Sequence, residues 1–188
     1  MPPVPTTRKP GKTGVLLNAK QIDAALHRLA EAIRDEFPDP ANLMVLGIRT
    51  RGVHLAERLV ALLETAYGTQ VTQGILDITL YRDDLSTINH QPMVRDSEIP
   101  DDVTDMNIVI VDDVLFTGRT IRAALDETID YGRPNLIRLA VLIDRGGREY
   151  PIQADYVGER VEVAPHEFVQ LQLVESDGVD EAIALVRE

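Results

Sequence analysis

The chain contains no cysteine. That excludes a disulfide scaffold, a cysteine-ligated zinc site and a thiol nucleophile. No apolar run approaches the length of a membrane span, so no membrane association is expected. Aromatic residues make up only 4% of the sequence, and no RNA-recognition signature with stacking aromatics is visible. Positive charge is also scarce: 19 Lys and Arg stand against 31 Asp and Glu, a net charge of −12. Such a balance opposes non-specific nucleic-acid binding, which depends on neutralising phosphates. The imbalance is uneven. Between Arg145 and Glu188, four arginines stand against ten acids, which is half of the chain's excess. Net charge does not fix surface pattern, so a local basic patch elsewhere is compatible with it. No G-x-x-x-x-G-K-[ST] pattern occurs, which argues against a P-loop nucleotide hydrolase.

What is present suits one well-filled core. The 188 residues carry 44% hydrophobic content, enough for a single domain over 15–188. Residues 1–14 hold four prolines with Arg8, Lys9 and Lys12 and no apolar centre. They read as a disordered tail rather than a secretory signal, and a cytoplasmic protein is expected.

Periodicity then marks alternating elements. Ile22, Leu26, Leu29 and Ile33 fit one helix face, with Asn18 as its cap. Leu43 to Ile48 reads as a buried strand, and Val53 to Leu63 as a helix with Leu55, Leu59 and Leu62 or Leu63 inward. Val71 to Leu80 is a weaker strand. Asn107 to Val111, Thr120 to Tyr131 and Leu136 to Ile143 follow as strand, helix and strand. Alternation of this kind implies an α/β fold with a mostly parallel central sheet. Tyr81 to Asp105 is polar, holds two prolines and lacks periodicity, so it reads as a flexible lid arm over 81–105. Beyond Arg145, short strands are expected at Tyr156–Val157, Val161–Val163 and Phe168–Leu173. A terminal helix would carry Val179, Ile183 and Val186.

The most informative stretch runs V-I-V-D-D-V-L-F-T-G-R-T, from Val109 to Thr120. An apolar strand ends in Asp112 and Asp113. A small-residue loop follows, and then a helix with Ile121, Ala124, Leu125 and Ile129 on one face. Strand, acids, loop and helix in that order suit a phosphorylated sugar. Backbone N–H groups of the loop and the helix N-terminus favour the phosphate. Ionised Asp112 and Asp113 accept only, which matches two ribose hydroxyls that donate. Thr117 and Thr120 offer hydroxyl donors, and Gly118 allows close backbone approach or positive φ. A second loop, Arg49-Thr50-Arg51-Gly52, follows the Leu43–Ile48 strand. Its arginines offer forked donors for phosphate oxygens; solvated arginines in an ordinary loop are the alternative.

The Val109–Thr120 stretch resembles the PRPP-binding motif of type I phosphoribosyltransferases, PRPP being 5-phosphoribosyl 1-pyrophosphate. The resemblance narrows further. L-G-I-R-T-R-G (Leu46 to Gly52), D-I-T-L-Y-R-D-D-L (Asp77 to Leu85), Y-G-R-P (Tyr131 to Pro134) and the segment Leu139 to Gly158 are similar to the PyrR family. Members of that family are bifunctional pyrimidine operon attenuators and uracil phosphoribosyltransferases. The likeness runs from about Val15 to the C-terminus. It implies the type I phosphoribosyltransferase fold, with a small hood over the base site that includes 145–175. It implies conversion of uracil and PRPP to UMP and pyrophosphate, with Mg²⁺ arriving on PRPP rather than in a dedicated protein cage.

By this resemblance, Asp112 and Asp113 serve catalysis and hold the ribose. Val114, Leu115, Phe116, Thr117, Gly118, Arg119 and Thr120 form the PRPP loop, and Thr50 and Arg51 contact pyrophosphate. For Arg82, a phosphate contact and a salt bridge to Asp83 or Asp84 both stand. For Arg145, a place near base and pyrophosphate stands beside an ion pair with Asp144 or Asp155. Val169 either lines the uracil pocket through its backbone or packs in the core. The resemblance also implies UMP-dependent binding of pyr leader mRNA by a homodimer or larger homo-oligomer. His27, Arg28, Arg145 and Arg148 are the candidate RNA contacts, although Glu149, Asp155, Glu159 and Glu162 nearby repel phosphate. A uracil enzyme without the RNA role, and a salvage enzyme for another base, remain as alternatives.

Overall fold

The computed structural model describes residues 6–7, 14–81, 97–100 and 102–186. Its centre is a six-stranded, all-parallel sheet in the order β1-β7-β6-β5-β3-β4. The strands are β1 (Thr6–Thr7), β3 (Leu43–Ile48), β4 (Thr72–Leu76), β5 (Asn107–Leu115), β6 (Leu136–Asp144) and β7 (Tyr156–Glu162). Helices α1 (Ala19–Glu36) and α2 (Arg51–Tyr67) cover one face, and α3 (Arg119–Asp130) covers the other. The pattern is dictated by two-residue alternation along buried strands. Val45, Val109 and Val111 point to the α1–α2 side, while Met44, Leu46, Ile108 and Ile110 point to the α3 side.

The helices form where the sequence places them. Asn18 accepts the Gln21 N–H at 3.1 Å while Gln21 returns a bond to the Asn18 N–H at 3.0 Å, a reciprocal capping box. Ile22, Leu26, Leu29 and Ile33 are all buried beneath it. In α2 the inward row is Leu55, Leu59 and Leu63, so Leu63 rather than Leu62 takes the buried position. In α3 the buried residues include Ile121, Ala124 and Thr128. Ile129 is 58% exposed, which corrects its placement on the inward face: seven residues from Ile121 the helix has turned twice, and eight overshoots.

A second, three-stranded antiparallel sheet forms the hood, in the order β2-β9-β8. Its strands are β2 (Gly14–Asn18), β8 (Glu167–Gln172) and β9 (Glu181–Val186), with the short α4 (Val174–Asp177) between the last two. Three sequence expectations change here. The terminal helix is β9, because buried Ala182 and Ala184 repeat every two residues between two partner strands. The Tyr156–Val157 and Val161–Val163 candidates are one strand, β7, and it belongs to the central sheet rather than to the hood. The hood instead recruits Gly14–Asn18 from the other end of the chain.

The segment read as a lid divides. Residues 82–96 lie outside the described residues. Its far end is docked to the sheet edge: Ile75 and Glu98 exchange backbone hydrogen bonds at 2.8 and 2.9 Å, and Val103 is fully buried. Of the presumed tail, Thr6 and Thr7 pair with Val161 and Glu162. Among the described residues, no helix is long and apolar enough to cross a membrane.

Candidate active site

The open end of the central sheet carries both loops singled out in the sequence, where ligands of open α/β sheets bind. Strand β5 delivers Asp112 and Asp113. Asp112 is buried, and its Oδ1 accepts the Asp113 N–H at 2.9 Å; Asp113 Oδ1 accepts the Val114 N–H at 2.8 Å. Burial pushes the Asp113 carboxyl above its ordinary value. The Val114 N–H, Asp112 and the Arg51 guanidinium pull the other way and do not cancel it. The loop that carries Arg51 lies against the end of β5, where a Cβ on Gly52 would sit 2.6 Å from the Val111 carbonyl oxygen and 3.4 Å from Asp112 Cα.

The PRPP loop turns at Gly118, whose φ is +93°. A side chain there would be strained and would press on Tyr150 and Ile152, its Cβ 3.2 Å from Tyr150 Cβ. Gly118 is the N-cap of α3 and no side chain caps that helix, which leaves its N-terminus suited to an anion. The loop is stitched from outside by residues 145–152. Glu149 and Tyr150 donate their N–H groups to the Thr117 carbonyl at 2.9 and 3.0 Å, and Arg145 donates its own to Leu115 at 3.1 Å. Arg119 is turned outward, bonded to Glu149 at 2.8 Å and lying over the Tyr150 ring at 5.2 Å.

Not every loop residue offers its side chain. Leu115 is buried in the α3-side core and Val114 packs against the α1–α2 side, so these two contribute backbone only. Phe116 is exposed, and the Arg145 guanidinium stacks on it with 3.9 Å to the ring centroid. Arg145 also donates to the Glu167 carbonyl at 2.9 Å, joining the PRPP loop to the start of β8 in the hood. Val169, two residues further along β8, packs against the main core while only partly buried.

The second loop enters α2 through Gly52. A Cβ there would sit 2.6 Å from the Val111 carbonyl oxygen, so the close approach of this loop to β5 requires glycine. Thr50 is exposed and the Arg49–Thr50 peptide is cis. Arg51 makes a forked pair with Asp177 of α4, at 3.0 and 3.3 Å. The Arg51 guanidinium, with help from Ser176 and the Leu173 N–H, holds the Asp177 carboxyl well below the usual carboxylate range. Sequence reasoning missed Asp177 and Glu149. Each pairs with a site arginine across a long sequence separation, and Glu149 read only as an acid that repels phosphate.

The RNA candidates separate into two groups. His27 and Arg28 lie on α1, His27 bonded to the Asp23 carbonyl at 3.0 Å and Arg28 to the Gly158 carbonyl at 2.7 Å. Arg148 serves the PRPP loop from outside: it donates to the carbonyls of Phe116 and Ile152, each at 2.9 Å, and pairs with Asp144 at 2.7 Å. Those bonds turn the guanidinium toward the loop. Arg82 lies outside the described residues.

Comparison with known proteins agrees with this geometry. A family model described as a phosphoribosyl transferase domain matches residues 13–175. The bifunctional protein PyrR of Deinococcus radiodurans is 51% identical over 165 residues, covering 88% of this chain and 90% of that protein. The Bacillus subtilis protein of the same name is 48% identical over 168 residues, with 88% and 93% covered. This chain belongs to the PyrR family of phosphoribosyltransferases. Solved structures support the fold of this PyrR-family chain. A hypoxanthine-guanine phosphoribosyltransferase from Bacillus anthracis superposes with a TM-score of 0.66 at 19% identity, covering 94% of this chain and 100% of that one. The hypoxanthine phosphoribosyltransferase of Trypanosoma cruzi gives 0.67 at 19% identity, with 93% and 97% covered. At that identity the likeness speaks for the fold alone and not for the base.

Proposed function

We propose that this PyrR-family chain transfers the phosphoribosyl group of PRPP to uracil, giving UMP and pyrophosphate, and that with UMP bound it regulates pyrimidine operon transcription through leader RNA. The observation that carries the enzyme is the meeting of buried Asp112 and half-buried Asp113, the uncapped start of α3 and the Arg51 loop at one end of the sheet. In the reaction, the ribose C1–oxygen bond to pyrophosphate breaks, a bond from C1 to uracil nitrogen forms, and that nitrogen loses its proton. Positive charge grows on the ribose as pyrophosphate leaves.

Each part of the site has work to do in that step. Asp112 and Asp113 accept from the ribose hydroxyls and stabilise the adjacent positive charge. The Thr117–Thr120 turn and the α3 N-terminus grip the 5-phosphate. Thr50 and Arg51 take the departing pyrophosphate, with Arg51 exchanging Asp177 for phosphate oxygens. The chemistry is positioning and electrostatics rather than covalent catalysis. The carboxylates are hard oxygen donors, and they fit a Mg²⁺ that arrives on PRPP. When bound, such an ion would neutralise charge on the leaving group, and Asp112 and Asp113 would orient the ribose. Arg145, bridging Phe116 and the Glu167 carbonyl, orders the wall between PRPP loop and hood where uracil and the Val169 backbone would meet.

The regulatory half rests on the PyrR family and on exposed His27 and Arg28. Binding of UMP and of RNA would be linked reciprocally. The same reading makes the protein a cytoplasmic homodimer or larger homo-oligomer. Pyrophosphate release from PRPP, measured with uracil, hypoxanthine, guanine and adenine in turn, tests the enzyme: uracil alone should drive it. Consumption of a purine with uracil ignored would sink the assignment.

A further inference from the structure

Arg49 stands directly before Thr50, and its surroundings are unusual for a loop arginine. Its backbone N–H donates to the Leu76 carbonyl at 2.9 Å, continuing the β3–β4 pairing. Its Nη2 donates to Glu98 Oε1 at 2.9 Å. Its Nε is buried without a hydrogen bond, 3.8 Å from Asp77 Oδ2. Both acids are held in place, Asp77 through its carboxylate and Glu98 through its backbone. Asp77 is buried and accepts from the backbone and hydroxyl of Thr79, while its own N–H donates to Ser97 Oγ at 2.7 Å. The Ser97 hydroxyl donates in turn to Glu127 of α3. Glu98 is fixed through both backbone bonds to Ile75.

The guanidinium is thus held between two acids that belong to different segments, one after β4 and one from 97–100. Two nearby carboxylates also offset its charge, which weakens its own pull on an anion. A rigid fork with fixed partners restrains the backbone that carries it. We infer that Arg49 is a positioning residue for pyrophosphate transfer: clamped by Asp77 and Glu98, it sets the Thr50–Arg51 backbone at the anion site without touching the anion. This rests on the reading of Thr50 and Arg51 as pyrophosphate contacts.

Steady-state kinetics of Glu98→Ala, Glu98→Gln, Arg49→Met and Arg51→Met tests it, together with melting temperatures. The Glu98 side chain is 69% exposed, so Glu98→Ala leaves the core intact. Glu98→Ala raises the KM for PRPP about tenfold, with the KM for uracil within about twofold of the parent. Glu98→Gln keeps an acceptor for Nη2 and restores most of that loss, and Arg49→Met exceeds Glu98→Ala. A PRPP KM unchanged or lowered in Glu98→Ala overturns the inference, because freeing Arg49 then costs nothing or helps it bind phosphate directly. Equal rises for both substrates, or a fall in kcat alone that tracks the melting temperature, also overturn it, since a merely structural clamp would do that. If Arg51→Met itself leaves the PRPP KM unchanged, the pyrophosphate reading of the loop fails. If Arg51→Met raises it and Glu98→Ala does not, the loop reading stands and the positioning role falls.

Discussion

Arg51 and Asp177, 126 positions apart in the sequence, meet in a forked ion pair at 3.0 and 3.3 Å that joins the loop after β3 to the hood. About two helical turns further along α2, Arg58 repeats the arrangement with Glu175 at 2.7 Å and Asp180 at 2.8 Å. The hood is therefore tied to α2 by two arginines and three acids, all partly shielded from solvent.

That stitching has an acid limit. Arginine bonds hold Glu175, Asp177 and Asp180 below their ordinary values. Groups depressed in the folded state stabilise it fully above their unfolded pKa values, about 4, and lose that contribution as pH falls through the folded ones. Arg58→Met removes two of the three pairs. Thermal melts of parent and variant should differ by roughly 4–8 °C at pH 7, about 2 kcal/mol for charge-assisted bonds that are partly exposed. The gap should shrink steadily below about pH 4. A gap that stays constant down to pH 3 would mean that packing, not charge, holds the hood.

Asp113 moves in the opposite direction. Burial raises its carboxyl, so it takes up a proton at a higher pH than a free aspartate does. The ribose needs an acceptor there, and protonation removes one. The log of kcat/KM for PRPP should therefore fall on the acid side earlier than an ordinary aspartate near 3.9 would allow. Asp113→Asn should lower kcat/KM by about 10²–10³ and flatten that limb, with circular dichroism unchanged. A variant that keeps both the rate and the limb would make Asp113 structural.

The site was legible in the sequence where chemistry is local. Asp112, Asp113, Thr117, Gly118 and Thr120 lie on one strand–turn–helix, so their spacing alone puts them together. The central sheet was legible for the same reason, because runs such as Leu43–Ile48 are buried throughout. What escaped were relationships made by tertiary pairing. β9 looked helical, since Val179, Ile183 and Val186 share a helical face, yet two flanking strands claim its hydrogen bonds and Ala182 and Ala184 supply the buried side. Arg148 looked like a free cation. Of its four acceptors, the Asp144 carboxylate and the Ile152 carbonyl lie four residues to either side, but the Leu115 and Phe116 carbonyls become neighbours only once the two loops meet.

Glu127 is an acid placed where an acid costs stability. It is buried on α3, and desolvation raises its pKa despite the Ser97 hydroxyl bond, with Asp77 and Asp130 adding repulsion. Its Oε2 has no hydrogen-bond partner. A carboxyl raised in the folded state stabilises that state only while protonated, fully below its unfolded pKa near 4.3, and the benefit disappears as pH rises through the folded value. Glu127→Gln keeps an acceptor for Ser97 and removes the charge. Its melting temperature at pH 8 should exceed the parent's by about 2–4 °C, the shift that ~1 kcal/mol makes in a chain of this length. The two curves should converge toward pH 4. A destabilised variant at pH 8 would show that the ionised carboxylate is held by interactions outside this account.

The two groups of RNA candidates give different outcomes when mutated. Arg28 is half-exposed on α1, with its Nη2 on the Gly158 carbonyl and Glu159 at 3.5 Å. If it meets a phosphate, Arg28→Ala should weaken leader RNA binding in the presence of UMP. The slope of log K against log salt should then lessen by about one, while uracil turnover suffers far less than RNA affinity. Arg148 is spent on the PRPP loop. Arg148→Ala removes the donor from the Phe116 and Ile152 carbonyls and the arginine partner from Asp144, so the loop loses its outer support. It should lower kcat/KM for PRPP at least about tenfold and depress the melting temperature, with the RNA salt slope unchanged. Filter binding across a salt series, run beside pyrophosphate release on the same preparations, separates the two. A reduced salt slope in Arg148→Ala with intact catalysis would return that arginine to the RNA face. The loop would then have to open when RNA binds.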